Sequence, residues 1–178
     1  MSLKLQSLNI NLPFGLGGAN IIVTEAQIKV AWALYVELAT RVAGVELKSG
    51  MGSAREALNS LYSLFDTTRS VLREQGPGSA EGPESVGPIA IEILNRGLRP
   101  FLTEWHTKLS GFEAEQAKEQ RNRFGGEISV IIDESLWPER DDFYRKLEEN
   151  RQGMLQYIHG LASIAGITHT GDDEKETR

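Results

Sequence analysis

The sequence predicts an all-α fold, an antiparallel four-helix bundle with a minor two-strand or extended cap. Three observations lead there. Two capping boxes, Thr24-x-x-Gln27 and Ser53-x-x-Glu56, each stand at the head of an apolar run. Four stretches of roughly twenty residues repeat apolar side chains at helical spacing. Strand signals are few and short.

Taken in order, Leu8, Ile10 and Leu12 alternate with Asn9 and Asn11, which predicts a short amphipathic strand closed by Pro13. The cluster Gly15, Gly17 and Gly18 lacks the Gly-Lys-Ser/Thr ending of a phosphate loop, so it reads as a turn into the first helix. That helix is predicted over Thr24 to Gly44. Ile28, Val30, Ala31, Trp32, Leu34, Tyr35, Val36 and Leu38 leave only a thin polar stripe of Lys29, Glu37 and Arg41. A helix apolar around most of its circumference is expected to be walled in, as the centre post of the bundle. Glu37 and Arg41 stand four apart in the favourable order, and Gly44 suits a left-handed stop.

The second helix opens at Ser53. It buries Leu58, Leu61, Leu64, Phe65, Thr68, Val71 and Leu72, and stops at Gly76-Pro77. Its outer face carries Arg55, Asn59, Asp66, Arg69 and Arg73. Residues 76–87, rich in Gly, Pro and Ser, predict a mobile loop. The third helix starts at Pro88. Its apolar series, Ile91, Leu94, Leu98, Phe101, Trp105, Leu109 and Phe112, runs straight across Pro100. Either one long helix kinks there or two shorter ones meet. Ile128, Val130, Ile131 and Ile132 form a β-prone run that either pairs with the first strand or packs as an extended segment. The last helix opens at Trp137-Pro138, buries Phe143, Leu147, Met154, Ile158, Leu161 and Ala165, and stops at Gly166. Residues 1–167 then make one domain, and 168–178 a disordered polar tail.

Composition narrows the function classes. A formal charge of −6 argues against a protein that coats nucleic acid. There is no cysteine, hence no disulfide, thiolate metal site or cysteine nucleophile. The sequence has no uncharged apolar run long enough for a membrane span and no signal-peptide layout, so a cytoplasmic, prokaryotic protein is expected. Of the three histidines, His106, His159 and His169, none follows a glutamate by three residues, so no carboxylate-bridged metal site is expected. No Gly-x-Ser-x-Gly occurs. Neither metal nor cofactor is expected. Trp32, Trp105 and Trp137 read as core or core-edge residues, or as the lining of an apolar pocket.

The most suggestive surface lies on the third helix. Glu92, Arg96, Arg99, Thr103 and His106 are spaced four, three, four and three, which on a continuous α-helix lines them in one stripe. Arginine is common at binding hot spots, so the stripe predicts a docking face for a protein partner or for self-association. The Arg55, Arg69 and Arg73 side of the second helix is the alternative face. Within the stripe, Arg99-Pro-Phe-Leu-Thr-Glu-Trp-His106 resembles the Arg-x(4–6)-His motif of HEPN ribonucleases. That resemblance implies metal-independent RNA cleavage at a dimer interface, with Arg99 holding phosphate and His106 moving a proton. The function expected from the sequence is a non-catalytic helical interaction or assembly module, an accessory component of a prokaryotic complex. The HEPN-like ribonuclease is its alternative, and the one case in which RNA would be a partner.

Overall fold

The computed structural model describes residues 6–47, 52–82, 84–125 and 130–167. A hairpin of β1 (Gln6–Leu12) and β2 (Gly17–Val23) precedes the helices α1 (Glu25–Ala39), α2 (Ala54–Gln75), α3 (Val86–Ile93), α4 (Arg99–Phe124) and α5 (Arg140–Ile164). The protein is 71% helical and its sheet has two strands, which agrees with a helical fold carrying a minor β element. The polar tail expected at 168–178 lies outside the described residues.

The first strand finds its partner in the residues just after the glycine cluster, with Leu12 opposite Gly17 and Gln6 opposite Val23. The expected turn is therefore a hairpin turn, and Ala19 and Ile21 supply the inward face of a strand that period-two reading could have shown. Leu16 N–H donates to Pro13 O at 3.2 Å, with Phe14 and Gly15 at φ 59° and 72°. Two successive positive φ angles are the hairpin geometry that matches strand twist. For phenylalanine the left-handed region costs on the order of 1 kcal/mol. The ring offsets that cost by filling a slot between helices. A methyl group at Gly153 would lie 2.7 Å from the ring, and one at Gly97 nearer still. Ile10 likewise sits against Gly160, two turns further along α5.

Helix α1 corrects two expectations. It ends at Ala39 rather than Gly44, and it is not walled in. Gln27, Val30, Ala31, Leu34 and Leu38 face the core, while Ile28, Trp32 and Val36 are 39%, 53% and 38% exposed. These three recur every fourth residue and form one outward stripe, because apolar character permits burial without imposing it. The capping box is half formed: Thr24 accepts from Gln27 N–H, but the Gln27 side chain turns inward. Buried there, it accepts from Val86 N–H at 2.8 Å and donates to Gly78 O at 3.2 Å. It thereby ties residues 77–80 and the start of α3 to α1. The Glu37–Arg41 pair forms at 2.6 Å, and Arg41 continues to Thr67 on α2.

Helix α2 is capped by Ser53 as expected. Its other free amides are met from afar: Glu134 accepts from Ala54 N–H at 2.8 Å and Arg55 N–H at 3.4 Å. A carboxylate suits the positive end of a helix, although the sequence does not say which helix it serves.

Pro100 neither kinks nor breaks the third helix. Leu94–Leu98 form a π turn, in which Arg99 N–H donates to Leu94 O, and the helix runs on from Val86 to Phe124. The widened turn ends just before the proline, where an ordinary α-turn would press its ring against the carbonyl of Arg96. Asn150 on α5 donates to Gly97 O at 3.1 Å within this turn.

Beyond α4, residues 130–133 are extended but pair with no strand, and Ile128 lies outside the described residues. Gln120 donates to Ile131 O at 2.6 Å and accepts from Ile131 N–H at 3.2 Å; Gln116 does the same for Asp133 at 3.0 and 2.9 Å. Four helical residues advance about 6 Å and two extended residues about 6.6 Å, so the two repeats match. Trp137 then packs on Trp105 and Phe143, with ring centroids 5.8 and 5.5 Å away. Helix α5 begins at Arg140, later than expected. It ends in a Schellman motif, with Ile167 N–H to Ala162 O and Gly166 N–H to Ser163 O.

Two outcomes follow. Gly153→Ala, which in an exposed helix would gain about 1 kcal/mol, should instead cost about 1–3 kcal/mol by chemical denaturation, and should turn stabilising in a Phe14→Ala background. A loss that persists without the Phe14 ring would contradict the slot. Trp105→Ala should cost about 3–5 kcal/mol, whereas the half-exposed Trp32→Ala should cost about 1 kcal/mol or less. Equal losses would mean that α1 is buried on both faces.

Candidate functional site

The residues proposed from sequence for docking separate into two groups. Asn95, Arg99, Thr103 and His106 line a groove between α2 and the α3–α4 helix, whereas Glu92 and Arg96 do not. The π turn explains the difference. A turn of the wider helix shifts the helical phase, so Asn95 rather than Arg96 falls in line with Arg99. Arg96 and Glu92 bond each other at 2.8 Å and stay exposed. The single five-residue stripe read from α-helical spacing is thus corrected.

From α2 the groove takes Tyr62, Phe65, Thr68, Arg69, Leu72 and Arg73. Its two parts, about 260 and 390 Å³, share Phe65, Arg69 and Arg99. The two faces that the sequence offered as alternatives are therefore opposite walls of one groove. Tyr62 was missed, although its spacing to Arg69 and Arg73 places it on the same side of α2. The floor is apolar: Phe65, Leu94 and Leu102 are buried beneath it, and Ile91 and Tyr62 stand 48% and 59% exposed along it. The lining carries three arginines, one histidine and no carboxylate. Arg99 bonds Asn95 at 3.1 Å and lies 4.9 Å from the centre of the Phe65 ring; Arg69 bonds Asp66 at 2.6 Å.

At the end of the groove, Arg55 spans the two helices. It holds Glu113 through two nitrogens, reaches Ser110 at 3.2 Å, and lies 3.2 Å from His106 Nδ1. An arginine only donates, so Nδ1 accepts and the neutral ring carries its proton on Nε2. Burial, then the nearby Arg55 charge, holds His106 below its ordinary value of 6.5, with Glu113 opposing. Tyr62 meets the ring edge-on at 6.0 Å. Every polar group that His106, Arg69, Arg73 and Arg99 turn to the groove is a donor.

A larger hollow, about 480 Å³, lies among β2, the start of α1 and residues 81–85. Its polar groups serve the fold: Glu84 accepts from Asn20 N–H at 3.0 Å, and Gln27 is fully engaged. Among the described residues no cluster of His, Asp or Glu could hold a metal ion, and no helix is long and apolar enough to cross a membrane. His159 lies on α5, away from the groove lining; His169 lies outside the described residues. No family model matches this chain, and neither does any curated protein or solved structure.

The lowered His106 value has a measurable sign. Below pH 6.5 the unfolded chain takes up a proton that folded His106 still refuses, so this group's contribution to stability is present above 6.5 and falls as the pH drops toward the folded value. A proton NMR titration should place the His106 midpoint below 6.5, and Arg55→Gln should raise it part of the way back. A midpoint above 6.5 in the wild type would contradict the contact with Arg55.

Proposed function

We propose that this chain is a non-catalytic helical interaction module, an accessory component of a prokaryotic cytoplasmic complex, which binds a protein partner or a second copy of itself in the groove between α2 and α4. The observation that carries the reading is the groove's lining, with three arginines and no carboxylate in a chain of net charge −6. So strong a local reversal of sign over an apolar floor suits recognition, because charge complementarity selects partners and steers their approach. The proposal includes an antiparallel four-helix bundle in which α3 and α4 count as one rod. The packing of α1 on α2 and α5, and of α2 on α4, supports it. A chain without cysteine suits a reducing compartment.

The rival is the HEPN-like ribonuclease. In its favour, Arg99 and His106 open onto the same groove. Against it, a general base needs a free lone pair, and the one on His106 faces Arg55. What Nε2 presents is a donor, which serves binding better than proton abstraction.

The test compares Arg69→Glu/Arg99→Glu with Arg96→Glu. All three positions are exposed, so melting temperatures should stay within a few degrees, as expected for surface changes of about 0.5 kcal/mol. Capture of the native partner, or self-association by light scattering, should fall at least about tenfold in the groove variant and persist in Arg96→Glu. Unchanged association in the groove variant would overturn the reading, as would metal-independent cleavage of single-stranded RNA by the wild type that Arg99→Ala and His106→Ala abolish.

A further inference from the structure

Resting on that docking reading, we infer that the groove's occupant is an acidic amphipathic helix of a protein partner, with one apolar face on the floor and carboxylates reaching Arg69, Arg73 and Arg99. Four features of the groove lead to this occupant.

The first is the floor. Ile91 and Tyr62 stand exposed over buried Leu94, Leu102 and Phe65, so an apolar strip runs along the groove rather than across it. A ligand recognised by charge alone would leave that strip wet. One with an apolar stripe would cover it.

The second is the walls. Both are helices, whose interior main-chain groups are already paired, so the groove offers no strand edge to an extended peptide. A helix brings its own main chain satisfied and needs only side-chain contacts. From Ile91 to Thr107 the groove runs about 24 Å, enough for a helix of about sixteen residues.

The third is the disposition of charge. Arg69 and Arg73 stand one turn apart on α2, and Arg99 faces them from α4. Among the described residues Arg73 has no hydrogen bond or ion pair, and Arg99 has no carboxylate partner. Glutamates one turn apart on the occupant can meet the α2 pair while a third reaches Arg99. Arginine suits this task because its planar fork can hold a carboxylate through two parallel bonds. Beyond Arg99, Nε2–H of His106 and the hydroxyls of Thr103 and Thr107 add donors.

The fourth separates this occupant from RNA. A chain of net charge −6 repels a polyanion overall, and Tyr62 is the one exposed aromatic ring in the groove, where stacking of successive bases needs several. A short acidic helix brings its carboxylates only where the arginines stand.

The experiment titrates the full chain with a fluorescent helical peptide of about sixteen residues, leucines on one face and glutamates flanking it. Three probes run beside it: the same peptide with every glutamate replaced by glutamine, a single-stranded RNA of similar length, and a peptide of this chain's own residues 168–178, which is acidic but lacks an apolar face. The glutamate peptide should bind and shift the NMR signals of Thr103 and Thr107. The glutamine peptide, and binding to Arg69→Glu/Arg99→Glu, should each be weaker by roughly tenfold or more. Ile91→Ser should weaken binding with every arginine retained, which guards against misfolding of the double variant. Equal binding of glutamate and glutamine peptides, no binding at about 1 mM, or tighter binding of RNA would overturn the inference. So would equal binding of the 168–178 peptide, since charge alone would then suffice. If the native partner is lost from the groove variant while the glutamate peptide fails to bind the wild type, the docking site stands and only its occupant is wrong.

Discussion

The ring of Phe14, held between Gly97 and Gly153, is the contact on which the rest of the fold depends. Each participant is unfavourable alone. A phenylalanine at positive φ is strained, and a glycine inside a helix costs about 1 kcal/mol against alanine. Together they let a hairpin loop enter between two helices. The glycines remove the side chains that would fill the space, and the ring restores packing density. The contact also fixes position. It sets the hairpin along α5, where Ile10 meets Gly160, and it braces the π turn from which α4 departs toward the groove.

Much of this was legible in the sequence, and the gaps have physical causes. Local chemistry reads well: Ser53 and Thr24 cap their helices, Gly166 ends α5, and the apolar periods of α2 and α5 match their buried faces. What depends on partners distant in sequence does not. Glu134 caps a helix eighty residues earlier, and Gln27 spends its amide on α3 rather than on its own turn. The exposed stripe of α1 was hidden because Ile28, Trp32 and Val36 have the composition of a core without its location. The π turn was hidden because Leu94, Leu98 and Phe101 keep an apolar spacing that both helix types tolerate, and Pro100 drew attention one residue too far along.

The groove shows the same division. Arg99, Thr103 and His106 could be placed together from spacing alone, since one unbroken α-helix carries them. Their convergence with Arg69 and Arg73 required the antiparallel approach of α2, which no local pattern encodes. Arg55 at one end has a dual part. It neutralises Glu113 at the groove mouth, and it fixes which nitrogen of His106 bears the proton. A negatively charged protein thus keeps one recess in which cations outnumber acids.

The two glutamines of α4 have a consequence for how this chain tolerates change in length. Gln116 and Gln120 clamp Ile131 and Asp133 directly, so the register of the extended segment is read from the helix and not counted along the connecting loop. A residue added or removed between 125 and 130 would alter the path of that loop, while Asp133 and everything after it would arrive in the same place. The connection into the last third of the protein is therefore indexed at its far side. Glu134 can cap α2, and Trp137 can enter the aromatic core, whatever the span that precedes them.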